Sequence, residues 1–297
     1  MESEIKANNK YKDSLFKLIF GNEAHKDFTL SLYNALNNSN YSNPDDIVIN
    51  TLEDAIYIKM KNDVSFILGA TMCLYEQQST FNPNMSYRML EYVTALYENY
   101  ITEKNFNKYS CRQFKLPAPR FIVFYNGREE LPERSVQKLS ELYEEMGSRQ
   151  LELIVDVYNI NKGNNHFLKA DCKPLYEYMW FVDQAKELIK GFGRDEEAIG
   201  KVVTKLINEM PDTFIIKTIL LKEMKEVVGM IFEDFNEELY KQAAIDDAEA
   251  SYHDGCNDTI QKTIERMFEA KLPLSTISIA TGLSEEEIEK IISKFKK

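Results

Sequence analysis

Apolar positions follow two rhythms along this chain. Up to about residue 160, runs at helical spacing alternate with short β-branched and aromatic runs. Beyond about residue 170 only the helical rhythm remains. Leu15, Leu18, Ile19, Phe28, Leu30, Leu32 and Leu36 predict a helix over 11–37, closed by the turn-rich segment 37–46. Residues 47–60 read as a strand with polar interruptions, and 62–78 as a β-hairpin. A loop over 81–86 leads, through an N-cap at Asn84 or Ser86, into a helix over 86–104. That helix carries Tyr87, Leu90, Val93, Leu96, Tyr97, Tyr100 and Ile101 as a core-facing stripe. Residues 120–127 predict a buried strand, 133–146 a short helix and 151–160 another strand. The order defines an α/β domain over 1–168.

Amphipathic helices follow over 174–191, 195–208 and from 211 to about 250, giving a helical region over 169–255. Three short helices over 259–270, 275–281 and 284–295 form a small module over 256–297. Its Gly282-Leu283-Ser284 step resembles a helix-turn-helix turn. The helix that follows opens with Glu285, Glu286 and Glu287, which repel phosphate. Ser284 and Glu287 read instead as a capping box. The module is expected to make protein contacts, including self-association of the chain.

The hairpin fixes a candidate site. Gly69-Ala70 suits a type II′ turn, which pairs Leu68 with Thr71 and, counting outward, Asp63 with Glu76. Two carboxylates on one face, with side chains about 5 Å apart, repel each other. One reading is a solvated pair at a sheet edge. The other is a site for a divalent cation, which takes carboxylate oxygens. Ser65, Ile67, Met72 and Leu74 share the face, and buried acids need partners. Gln78 falls on it too.

Net charge is -12, which excludes a general DNA-coating role. The acidity is uneven. Residues 1–120 hold 13 Lys and Arg against 14 Asp and Glu, so a local basic groove stays possible there. Lys12, Lys17, Lys59, Lys61, Arg88, Lys104, Lys108, Arg112, Lys115 and Arg120 are its candidates. No apolar run reaches membrane-helix length, and the polar start Met1–Lys10 lacks a signal-peptide core, so a cytoplasmic chain with no membrane partner is expected. Cys73, Cys111, Cys172 and Cys256 are scattered, and His25, His166 and His253 make no zinc pattern.

Asp63, the run Glu76-Gln-Gln78-Ser-Thr-Phe-Asn-Pro-Asn-Met85 and Arg88 resemble the signature of the recombination-promoting nucleases, often labelled putative transposases, of the PD-(D/E)XK superfamily. Tyr11–Phe20 is similar to that family's first helix and Val123–Gly127 to its next core strand. The resemblance covers roughly residues 10–160. It implies a restriction-endonuclease-like core, a mixed sheet flanked by helices. It also implies a magnesium-dependent DNA endonuclease, in which manganese can replace magnesium, tied to recombination, mobile elements or defence. Asp63 and Glu76 fill the acid positions, and the backbone carbonyl of Gln77 is the third protein ligand. Gln78 stands where the superfamily has a catalytic lysine, which leaves the water-activating group open. Asp13 and Lys17 read either as an i,i+4 ion pair or as groups bordering the active site. Arg88 reads as a phosphate partner or a cap on the loop. The competing class is a nuclease-fold protein that only binds protein or DNA.

Overall fold

The computed structural model describes residues 14–51, 63–145, 150–189, 192, 195–232, 262–268, 274–281 and 283–295. The chain divides into two compact units, residues 1–236 and 237–297.

The first unit is α/β. Six strands form one mixed sheet in the order β1-β2-β3-β4-β6-β5. They are β1 (Ile47–Ile49), β2 (Val64–Leu68), β3 (Thr71–Gln78), β4 (Ala118–Tyr125), β5 (Arg134–Lys138) and β6 (Ile154–Asn159). The pairs β1–β2, β2–β3 and β5–β6 are antiparallel, whereas β3–β4 and β4–β6 are parallel. The β2–β3 turn has Gly69 at φ +59°, and Ala70 is not among the residues of positive φ, as a II′ turn requires. Leu68 pairs with Thr71, the register expected from the turn.

Helix α3 (Met85–Glu103) covers one face of the sheet. Its Met85, Met89, Tyr92, Val93 and Leu96 pack with Met72, Leu74, Phe121 and Val123. The stripe is rotated from the expected one: Leu90, Tyr97 and Tyr100 pack at its margin and Tyr87 is 51 % exposed. The opposite face is aromatic. Phe16 of α1 (Leu15–Phe20) meets Phe124 at 5.2 Å and Tyr178 of α5 (Lys173–Ile189) at 5.7 Å between ring centroids. Tyr75 meets Phe66 and Phe124 edge-on. Layers of helix on both faces explain why β3 and β4 read as nearly continuous apolar runs.

Several expectations change. The helix expected over 11–37 is interrupted: α1 ends at Gly21, a short 3-10 turn spans Glu23–His25, and α2 runs Lys26–Asn37. The strand expected over 47–60 is β1 as far as Ile49, with Asn50 and Thr51 outside it. Residues 52–62 lie outside the described residues. The helix expected over 133–146 is instead β5 followed by the 3-10 turn Leu139–Leu142. Val136, Leu139 and Leu142 carry a helical spacing, but β6 offers an open edge and pairing with it wins. Helix α4 (His166–Asp171), α5, α6 (Glu196–Glu209) and α7 (Lys217–Lys222) belong to the same unit as the sheet. Residues 224–232 are helical as well.

In the second unit, helices Leu274–Thr281 and Glu285–Phe295 and helical residues 262–268 enclose Ile264, Ile277, Ile288 and Ile292. The Ser284–Glu287 capping box forms, with Glu287 Oε2 accepting from Ser284 N at 2.9 Å. Among the described residues no helix is long and apolar enough to cross a membrane.

Candidate active site

The site lies at the C-terminal ends of the parallel strands β3 and β4, where open α/β sheets leave a crevice for ligands. Strand alternation puts Glu76 and Gln78 on the α3 face, in line with Met72 and Leu74. Gln77 points the other way, and its Nε2 donates to Asn126 Oδ1 at 2.7 Å.

Asp63 sits just before β2, which starts at Val64. The sequence expectation of a simple facing pair of acids is therefore refined. Each acid is tied to the other's segment through backbone. Asp63 N donates to Glu76 Oε2 at 3.0 Å, and Gln77 N donates to Asp63 Oδ2 at 2.7 Å. The Asp63 carboxylate thus stands in for the next carbonyl of the β2–β3 ladder. Its second oxygen accepts from Ser14 Oγ at 2.8 Å, and the same hydroxyl accepts from Lys17 N as the N-cap of α1. One serine therefore locks the start of α1 to Asp63.

Arg88 lies on the first turn of α3, and its Nη2 donates to Glu76 Oε1 at 2.9 Å and to the Tyr92 hydroxyl. It pairs with an acid rather than capping the loop. Burial pushes the Asp63 carboxyl above the usual range, opposed by the bonds from Gln77 and Ser14 and by the charges of Arg88 and Lys17. Burial and then the charge of Asp63 push Glu76 up to about 8, with Arg88 pulling the other way. Burial and the charge of Glu76 push the Tyr92 phenol up to about 12.

Of the sequence-predicted residues, Asp63, Glu76, Gln77, Gln78 and Arg88 come together here, and Lys17 adjoins through Ser14. Asp13 lies outside the described residues, as do Lys12, Lys59 and Lys61. Among the described residues the basic candidates divide between the two ends of the sheet, with Lys17 and Arg88 beside the acids. Lys104, Lys108, Arg112 and Lys115 follow the C-terminus of α3 and precede Ala118, whose partner is Thr71 at the opposite end of β3. Lys108 is moreover paired with Glu98 at 2.9 Å.

Ser14, Tyr92, Asn126 and Lys186 escaped the sequence reading. Lys186 of α5 donates to the Asn126 carbonyl at 2.9 Å, and Asn126 N donates to the Gln78 carbonyl at 3.0 Å. Ser14 was legible as an N-cap. Lys186, sixty residues from Asn126, left no local signal. Gly127 is required for close approach, since a Cβ there would lie 2.3 Å from the Ser79 carbonyl oxygen.

Among the described residues no group of three or more His, Cys, Asp and Glu side chains could hold a metal ion. The donors are two carboxylates and amide oxygens. They nonetheless fit a hard divalent cation. Asp63 accepts two hydrogen bonds and keeps lone pairs free, and Gln78 Oε1 is buried with no hydrogen-bond donor among the described residues. Such a sparse set suits magnesium, which keeps several of its waters.

No family model, no curated protein and no solved structure matches this chain.

Proposed function

We propose that the chain is a magnesium-dependent DNA endonuclease hydrolysing phosphodiester bonds on a PD-(D/E)XK core. The observation that carries this reading is the meeting of half-buried Asp63 and buried Glu76, tied together through Asp63 N and Gln77 N, at the C-terminal end of β3. Ionisable groups perturbed by burial and by each other concentrate at functional sites. The resemblance of Asp63, Glu76–Met85 and Arg88 to the recombination-promoting nucleases supports the same reading.

When bound, a divalent cation supplies a water of lowered pKa and stabilises charge on the attacked phosphate. Asp63 and Glu76 would hold it, with the Gln77 carbonyl as the neutral donor that the resemblance implies. Ser14 and Gln77 N orient the Asp63 carboxylate. Arg88, backed by Tyr92, keeps a guanidinium beside Glu76, where it can pair with a phosphate oxygen. Lys186 brings a further cation to this end of the sheet.

One observation favours a second reading, a nuclease-fold protein that binds without cutting. Arg88 already pairs with Glu76, and no lysine stands at position 78. A plasmid-nicking assay in magnesium or manganese separates the two. Wild-type protein is expected to nick DNA. Asp63→Ala is expected to remain folded by circular dichroism and to lose cleavage by at least about a hundredfold, the scale on which loss of one major catalytic contribution is felt. Full activity in a folded Asp63→Ala protein sinks the nuclease assignment. DNA binding by the wild type without nicking selects the second reading.

A further inference from the structure

Gln78 ends β3 on the face of Glu76, two residues further along, which places the two residues roughly 7 Å apart. It is 7 % exposed. Its amide oxygen Oε1 is buried and accepts no hydrogen bond from any described residue. The neighbouring acceptors are served. Glu76 accepts from Arg88 and from Asp63 N, and Asp63 accepts from Ser14 and Gln77 N. A desolvated acceptor costs stability unless something positive meets it. An amide oxygen is a neutral hard donor with two lone pairs, the kind that magnesium, manganese and calcium take. Lysine, by contrast, has donors only.

We propose that Gln78 Oε1 is itself a ligand of the divalent cation held by Asp63 and Glu76, rather than a weakened replacement for a water-activating lysine. This rests on the cation-dependent reading of the site. It also accounts for the charge pattern. Arg88 already places one positive charge on Glu76, and a lysine at position 78 would place a second beside the incoming ion. A neutral oxygen adds affinity without that repulsion. An all-oxygen donor set further favours magnesium or manganese over zinc.

The test measures binding, not cleavage. Manganese is titrated into the full chain by calorimetry, with bound manganese followed by electron paramagnetic resonance. The wild type is compared with Gln78→Met and Gln78→Glu, whose folding is checked by melting without metal. Gln78→Met keeps the length of the side chain and removes the oxygen, so it is expected to weaken manganese binding roughly tenfold or more. Gln78→Glu keeps an oxygen, adds a charge, and is expected to bind more tightly. Equal affinity in wild type and a folded Gln78→Met overturns the ligand role and leaves the Asp63–Glu76 cation site standing. If Gln78→Met does not fold, Gln78→Glu decides, and weaker binding than wild type overturns the proposal. No manganese or magnesium binding by the wild type overturns it together with the reading beneath it.

Discussion

Glu76 carries the clearest consequence at the scale of single residues. Its ordinary value is 4.5, and burial with Asp63 alongside pushes it up to about 8 in the folded protein. Below about pH 4.5 the group is protonated in both states. Between about 4.5 and about 8 the unfolded chain gives up the proton while the folded one holds it. The stability due to the protonated carboxyl is therefore fully present at low pH and lost as pH rises through about 8. Melting of the metal-free protein in EDTA should show Tm falling across this window. Glu76→Gln, which cannot ionise, should flatten the fall. An unchanged pH profile in Glu76→Gln would place the ionisation on another group. Arg88 limits the effect that burial and Asp63 produce, because its charge is the main pull toward the ionised form.

Among the elements, the join between α1 and the β2–β3 hairpin rests on Ser14. Its hydroxyl accepts from Lys17 N and donates to Asp63 Oδ1, across 49 residues of sequence. Ser14→Ala removes a helix cap and half of the support of the Asp63 carboxylate. The expected loss is about 1–2 kcal/mol in chemical denaturation, and Asp63 should protonate still more readily. A loss no larger than a few tenths would mean that water replaces the serine. The hairpin itself was legible, because Gly69 selects its turn and the turn selects the register. Strand β5 was not. Arg134–Lys138 has no strong period of its own, and its conformation is set by β6, some twenty residues on. The break in the first helix was hidden for a related reason. Apolar spacing continues past Gly21, while the chain turns there so that α1 and α2 can both pack.

For the whole molecule, the division at residues 236 and 237 separates the candidate site from the C-terminal unit. Ending the chain at Asn236 should therefore leave manganese binding at Asp63 and Glu76 intact. Residues 237–297 hold eight Lys and Arg against thirteen Asp and Glu, so their loss removes little attraction for DNA. The truncated and full chains are expected to differ in the number of chains per particle by light scattering, which would assign assembly to the second unit. Retained assembly with lost DNA binding would instead assign DNA contact to it. Loss of manganese binding on truncation would show that the site draws on both units.

What the sequence determined by itself was local: turn chemistry at Gly69, the apolar periods of β2, β3, β4 and α3, and the capping box at Ser284. Each is set by neighbours within a turn or a strand, where backbone sterics and period act directly. What the tertiary structure decided was which distant groups meet. It brought Ser14 to Asp63, Lys186 to Asn126 and Arg88 to Glu76, carried four candidate basic residues to the far end of the sheet, and made a strand of residues 134–138. Those outcomes depend on strand order and on which face each helix covers. Pairing and burial between remote segments set both, and no local pattern encodes them.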